Sequence, residues 1–222
     1  MEVLVIGNQA EFDECELKFG KDNHLIFSND HSILATDIKI VCVFDFIVGE
    51  SPDDFNLYNN FSGLSIFVNT PKISLQELLF FVEGDFSNNL FGFNGLPTFI
   101  NRGLLEVSIL AEEHKATLTE LCQGLKTEFE LVNDRVGMVT PRIIFMIINE
   151  AYYTVQEGTA TKQDIDLGMK LGTNYPFGPF EWCEKIGIAH VYETLEAIYE
   201  DTKEERYKIC PLLKREYLYL SI

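Results

Sequence analysis

Basic residues are scarce in this chain. Seventeen Lys and Arg stand against thirty-five Asp and Glu, for a formal net charge of −18 over 222 residues. Such a surface repels polyphosphates, so nucleic acid is not an expected partner. Long apolar runs are missing too. The stretches near Ile38–Val48 and Leu78–Val82 are strand- or helix-sized, and none reaches membrane-spanning length. The N-terminus, Met-Glu-Val-Leu-Val-Ile-Gly, lacks the basic start and cleavage site of a signal peptide. The five cysteines (15, 42, 122, 183, 210) form no Cys-x-x-Cys pair and are odd in number, which reads as reduced thiols in a cytoplasmic protein. Together with the four histidines they lack the spacing of a metal site, and no serine sits in a nucleophile elbow.

What is present is a foldable chain. Apolar residues make up 46% and charged residues 23%, too apolar for disorder. The acidity is uneven: residues 1–133 hold 7 basic and 21 acidic groups, residues 134–222 hold 10 and 14.

The first segment alternates strands and helices. Glu2–Gly7 is an aliphatic, β-branched run closed by glycine, as a buried strand would be. A short helix over 8–19 is predicted from Phe12, Cys15 and Phe19 at helical spacing. Further strands are expected at His24–Phe27, Ile38–Val48, Leu64–Val68, Leu104–Ile109 and Phe129–Val132. Ser74-Leu-Gln-Glu77 is a capping box that starts a helix, and Glu113–Gly124 reads as another. This pattern predicts an α/β sheet domain over 1–133.

After Asn133 the strands stop. Arg142–Gln156 is apolar at nearly every turn of a helix, which predicts a helix buried at the centre of a bundle. Thr161 with Asp164 caps the next helix, Gly172 ends it, and Phe180–Ile186, Ala189–Asp201 and Leu212–Tyr219 complete an all-helical domain over 134–222.

This second domain resembles the C-terminal domain of the 3-hydroxyacyl-CoA dehydrogenase family. The resemblance rests on Asn133-Asp-Arg-Val-Gly-Met-Val-Thr-Pro-Arg142, Asn149-Glu-Ala151, Glu157-Gly158, Asp164-Ile-Asp166, Met169-Lys-Leu-Gly172, Tyr175-Pro-Phe-Gly-Pro-Phe-Glu181 and Tyr207-Lys-Ile-Cys-Pro-Leu-Leu213. The first segment looks like a shortened form of the family's Rossmann domain. Val3–Gly7 matches its first strand, and Phe67-Val-Asn-Thr-Pro-Lys-Ile-Ser74 its substrate turn, which makes Asn69 a candidate substrate-binding residue. Phe91-Gly-Phe-Asn-Gly-Leu-Pro97 resembles the segment that carries the catalytic histidine, and Leu105-Glu-Val107 the strand of its acidic partner. The resemblance implies hydride transfer between a 3-hydroxyacyl-CoA and NAD, with a histidine base, a glutamate orienting it and an asparagine on substrate.

The residues depart from that pattern at each chemical position. A Gly-x-Gly-x-x-Gly fingerprint needs three glycines for the turn, the approach to pyrophosphate and the helix packing. Here Gly7-Asn-Gln9-Ala-Glu11-Phe12 keeps only Gly7. Gln9 is expected to obstruct the phosphate, Phe12 replaces the packing glycine, and Glu11 repels a diphosphate. Asp30 is a candidate ribose acid or a plain turn residue. Phe91 stands at the histidine position and cannot move a proton. Pro141 stands at the asparagine position, preorganised for a first helical turn with Thr140 as cap. Pro71 stands at the serine position. Glu106 remains as an acid without its histidine. None of the four histidines (24, 31, 114, 190) falls in the matching segment, and His114 is expected to be solvated. The expected protein is therefore a family member linked to acyl-CoA metabolism that has no cofactor of its own, lacks catalysis and acts as a binding or scaffolding homologue. The alternative is an NAD-dependent oxidoreductase whose site is rearranged or completed by a partner. Expected partners are a second copy through the helical domain, and an acyl-CoA or an active relative.

Overall fold

The computed structural model describes residues 1–35 and 39–220 and places them in two compact units, Met1–Met138 and Val139–Ile222. Ile38, the first residue of one predicted strand, lies outside the described residues.

The first unit is built on one seven-stranded sheet. Its strands are β1 (Glu2–Ile6), β2 (His24–Ser28), β3 (Cys42–Asp45), β4 (Ser65–Asn69), β5 (Asn89–Phe93), β6 (Leu104–Ser108) and β7 (Glu128–Val132), in the spatial order 2-1-3-4-5-6-7. Neighbours run parallel except β5 and β6, which pair antiparallel. The connecting helices are α1 (Gln9–Phe19), α2 (Leu75–Phe80) and α3 (His114–Leu125). Two 3-10 segments, His31–Ala35 and Pro52–Asn60, make the crossovers from β2 to β3 and from β3 to β4.

Alternation along the strands sorts the core onto two faces. Val3, Val5, Phe44, Phe67 and Phe91 meet Cys15 and Phe19 of α1 and Leu118 and Leu121 of α3. Leu4, Ile6, Val43, Ile66 and Val68 meet Leu75 and Leu78 of α2 and Phe55 and Tyr58 of the second 3-10 segment. The capping box read at Ser74 is present: its side chain accepts from Glu77 N–H while Glu77 reaches back.

Two differences from the sequence reading have local causes. Among the described residues of the predicted run to Val48, Cys42–Asp45 form the strand, and it ends there because Asp45 Oδ1 accepts the N–H groups of Ile47 (2.8 Å) and Val48 (2.9 Å) and takes them out of the ladder. The unit also runs on to Met138 rather than stopping at 133. Asp134 caps α2 by accepting from Leu75 N–H at 2.8 Å and Gln76 N–H at 3.0 Å, and Gly137 N–H donates to Pro71 O at 2.7 Å.

The second unit holds α4 (Thr140–Gln156), α5 (Lys162–Thr173), α6 (Pro179–Ile186), α7 (Ile188–Thr202) and α8 (Pro211–Leu220). The residues that carry the family resemblance make its joints. Asn149 donates to Lys208 O (3.0 Å) and accepts from Cys210 N–H (2.8 Å), which ties α4 to the start of α8. Asp166 on α5 accepts from Phe180 N–H (2.8 Å) and Glu181 N–H (3.2 Å), capping α6 from a neighbouring helix. Thr161 and Asp164 form the predicted capping box of α5.

Two expectations for α4 need correction. Thr140 is its first helical residue, and Val139 occupies the cap position without a side-chain bond. The helix is not buried on all sides: Phe145, Ile148 and Tyr152 are buried, whereas Ile143 is 57% exposed.

Candidate functional site

In an open parallel sheet, ligands bind beyond the carboxyl ends of the strands, where the strand order reverses. Here the reversal lies between β1 and β3, at Gly7 and Phe46. Three features close that place. First, the helix end is already satisfied. Asn8 Oδ1 accepts from Ala10 N–H (2.9 Å) and Glu11 N–H (3.1 Å), and Glu11 Oε2 accepts from Asn8 N–H (2.7 Å). The donors that would greet a phosphate have found the chain's own oxygens. Second, the same Glu11 carboxylate lies over Gly7, so that a Cβ added there would collide with Oε2. Third, Phe46 fills the centre. Its Cβ is 3.2 Å from the place of a Cβ on Gly7, its Cε1 is 2.8 Å from that of Gly95, and its ring packs edge-on against Phe93 at 5.2 Å.

Glu11 is half-buried, and burial together with the nearby carboxylates of Glu50, Asp45 and Glu14 raises its pKa against the pull of the Asn8 N–H. The negative field that opposes a diphosphate comes from all four. Of the predicted obstructions, Gln9 is not one. It is exposed and donates to Asp13 Oδ1 at 2.7 Å on the outer side of α1. Phe12 packs α1 onto β2 through Phe27, with ring centroids 5.1 Å apart. Sequence spacing named Glu11 but not Phe46, because Phe46 comes from another strand and only the sheet order brings it there.

The remaining candidates fall as follows. Asp30 is exposed, accepts from Ser32 N–H at 2.8 Å, and is held below its usual pKa by the Ser32 hydroxyl and then by this backbone bond. Asn69 Oδ1 accepts from Gly95 N–H at 2.8 Å and so ties the end of β4 to the loop after β5. Phe91 is fully buried, in register with Phe67 and through it with Phe44; the ring centroids are 4.9 Å and 4.6 Å apart along this row. Glu106 lies not opposite Phe91 but beside Asn94, whose amide donates to it at 3.3 Å. This partner is thus an amide, not a histidine. Pro141 is buried in the first turn of α4. His114 is not solvated: it is half-buried, edge-on to Phe91 at 6.4 Å, with Nδ1 buried.

A cluster that sequence inspection missed sits beside this crevice. Asp45, the last residue of β3, is fully buried and receives Tyr58 OH at 2.6 Å and His31 Nε2 at 2.7 Å on the same carboxylate oxygen. Its members are 14 and 13 residues apart from Asp45 in sequence, and no spacing announces them. Among the described residues no group of three or more potential ligands could hold a metal, and no helix is long and apolar enough to cross a membrane.

The comparisons with known proteins agree with this architecture. The sequence model for the 3-hydroxyacyl-CoA dehydrogenase C-terminal domain matches residues 137–219. The helical unit is similar in sequence to this C-terminal domain over residues 139–219, together with the two residues that precede the unit, and the likeness of sequence to the family model is confined to that part of the chain. The chain is 42% identical over 98 residues to 3-hydroxyadipyl-CoA dehydrogenase of Escherichia coli strain K12, a match covering 44% of this chain and 20% of that protein. It is 36% identical over 111 residues to a probable 3-hydroxybutyryl-CoA dehydrogenase of Bacillus subtilis, covering 50% and 35%. These matches span about a fifth and about a third of those relatives. Over the whole fold, the crystal structure of M. tuberculosis FadB2 superposes with a TM-score of 0.79, covering 98% of this chain and 93% of that one at 18% identity. At that identity it establishes the fold: a parallel-dominated sheet unit followed by a helical unit.

Proposed function

We propose that this chain is a non-catalytic member of the family, acting as a binding or scaffolding homologue in acyl-CoA metabolism. The single observation that carries the reading is Glu11 lying over Gly7. A tethered carboxylate and its neighbour Asn8 use the first-turn donors of α1, and Phe46 fills the crevice beside them. NAD therefore does not fit these residues. General acid–base catalysis typically contributes about 10²–10⁴-fold, and Phe91 supplies none of it. The five cysteines are all free and buried, which supports a reducing compartment such as the cytoplasm.

The binding surface is on the helical unit. Helix α5 has no buried residue, and Leu167 and Leu171 are 55% and 79% exposed. On another side of α5, Ile165 and Met169 join Met146, Ile147 and Ala151 of α4, with Glu150 and Thr154 among them, in a mainly apolar trough of about 350 Å³. Exposed leucines on one helix face are the kind of surface a partner covers, and a second copy or an active relative presenting α5 would cover them.

The test is a titration of the purified chain with NADH and, separately, with an acyl-CoA, followed by nucleotide fluorescence and thermal shift. The expected result is no response to NADH. Tight NADH binding with reduction of a 3-ketoacyl-CoA overturns the reading in favour of a rearranged or partner-completed oxidoreductase. A shift with acyl-CoA alone identifies a thioester-binding homologue, and silence with both leaves protein assembly as the role.

A further inference from the structure

Asp45 raises a physical problem whose solution goes beyond the reading above. It is a fully buried carboxylate in a unit crowded with negative charge. Removing such a group from water costs several kcal/mol unless a cation and hydrogen bonds compensate. Its two oxygens divide the work. Oδ1 takes the backbone N–H groups of Ile47 and Val48, which turns the chain at the end of β3. Oδ2 takes Tyr58 OH and His31 Nε2.

The two side chains on Oδ2 come from different segments. His31 opens the 3-10 segment His31–Ala35, and Tyr58 lies in the 3-10 segment Pro52–Asn60. Each segment replaces a crossover helix, and each rests on the same sheet face through Leu34 on one side and Phe55 and Tyr58 on the other. The imidazole stands edge-on to the Tyr58 ring at 6.0 Å. Tyr58 stays a donor, because burial and the adjacent Asp45 charge drive its pKa well above the usual value. Only His31 can supply a full positive charge to this oxygen, and its side chain is 18% exposed, within reach of protons from solvent.

We propose that His31, Asp45 and Tyr58 form a proton-operated latch that fastens both 3-10 segments onto the sheet when the imidazole is charged and loosens them when it is neutral. The charged and titratable groups around the imidazole favour the proton. Asp45 faces it from β3, Asp54 and Tyr58 from the second 3-10 segment and Asp30 from its own turn, while Glu11 of α1 acts on Asp45. Burial opposes protonation, but the hydrogen bond and these carboxylates outweigh it, so the His31 pKa is raised. The latch is closed below the ordinary histidine pKa and is lost as pH rises through the raised value.

The test is hydrogen exchange of the full chain from pH 6 to pH 9, corrected for intrinsic exchange, alongside an NMR titration of the histidine rings. Protection of amides in 31–35 and 53–60 is expected to fall with rising pH, by up to about tenfold per pH unit, the one-proton limit, with a midpoint equal to that of the His31 ring. His31→Gln keeps a donor but cannot titrate, and is expected to make protection there independent of pH. His24→Gln, at the exposed pair with Glu2, leaves it unchanged. A His31 midpoint at or below the ordinary value, or a pH dependence retained in His31→Gln, overturns the latch. Should His31→Gln not fold, the parent protein decides: coincident ring and exchange midpoints support the latch, and separate ones overturn it.

Discussion

Phe67 and Phe91 are direct partners on adjacent parallel strands, and their rings sit 4.9 Å apart in a fully buried row that Phe44 extends. The position that reads as the family's base is thus a rung of the core. Phe91→His is expected to destabilise the protein by about 2–4 kcal/mol, from lost apolar contact and a buried imidazole. It is also expected to leave the protein without NADH-dependent reductase activity. Urea melts and a dehydrogenase assay check both; a stable variant that gains turnover contradicts the account.

Asn149 couples two parts of the helical unit through one side chain. Asn149→Ala removes two hydrogen bonds and leaves Lys208 O and Cys210 N–H without that partner. At about 1 kcal/mol per net bond plus the desolvation of orphaned groups, the loss is about 2–4 kcal/mol. Chemical denaturation followed by Trp182 fluorescence reads the helical unit directly, since it holds the only tryptophan.

Glu11→Ala uncovers the first turn of α1 and removes the nearest negative charge. It also breaks half of a capping box, which costs about 0.5–1.5 kcal/mol. Millimolar pyrophosphate is expected to raise the melting temperature of the variant and not of the parent. Equal shifts in both would place the anion elsewhere.

Stability should rise on mild acidification. His31, Glu11 and Glu14 all have raised pKa values in the folded state, so the native protein holds more protons than the unfolded chain. For His31 the stabilisation is complete below its unfolded value and lost as pH rises through the folded one. For the two half-buried carboxyls the burial penalty is relieved as pH falls through their raised values. Asp22, Asp30 and Glu181 have lowered values and reverse the trend only in stronger acid. Urea midpoints between pH 5 and pH 8.5 are expected to decrease steadily with pH.

Leu171→Glu places a charge on the open face of α5. Since Leu171 is 79% exposed, the monomer should lose no more than about 0.5 kcal/mol. Any self-association through this face should disappear in sedimentation velocity. A parent protein that sediments as a monomer removes the second copy as the occupant.

The sequence by itself determined the alternation of strands and helices, the capping boxes at Ser74 and Thr161, and the change to an all-helical segment. These depend on residues within a few positions of one another, where periodicity and side-chain to backbone bonds are decided locally. It also named Gln9, Phe12, Phe91 and Pro141 as departures, because each can be read in place. Strand β5 escaped notice, since Asn89–Phe93 is short and carries a glycine. Only the tertiary structure decided that Phe46 stands beside Glu11 and Gly7, that Glu106 has Asn94 beside it, and that His31, Asp45 and Tyr58 meet on one oxygen. Those arrangements depend on strand order and cross-strand register, which put residues from separate segments side by side and leave no local trace in the chain.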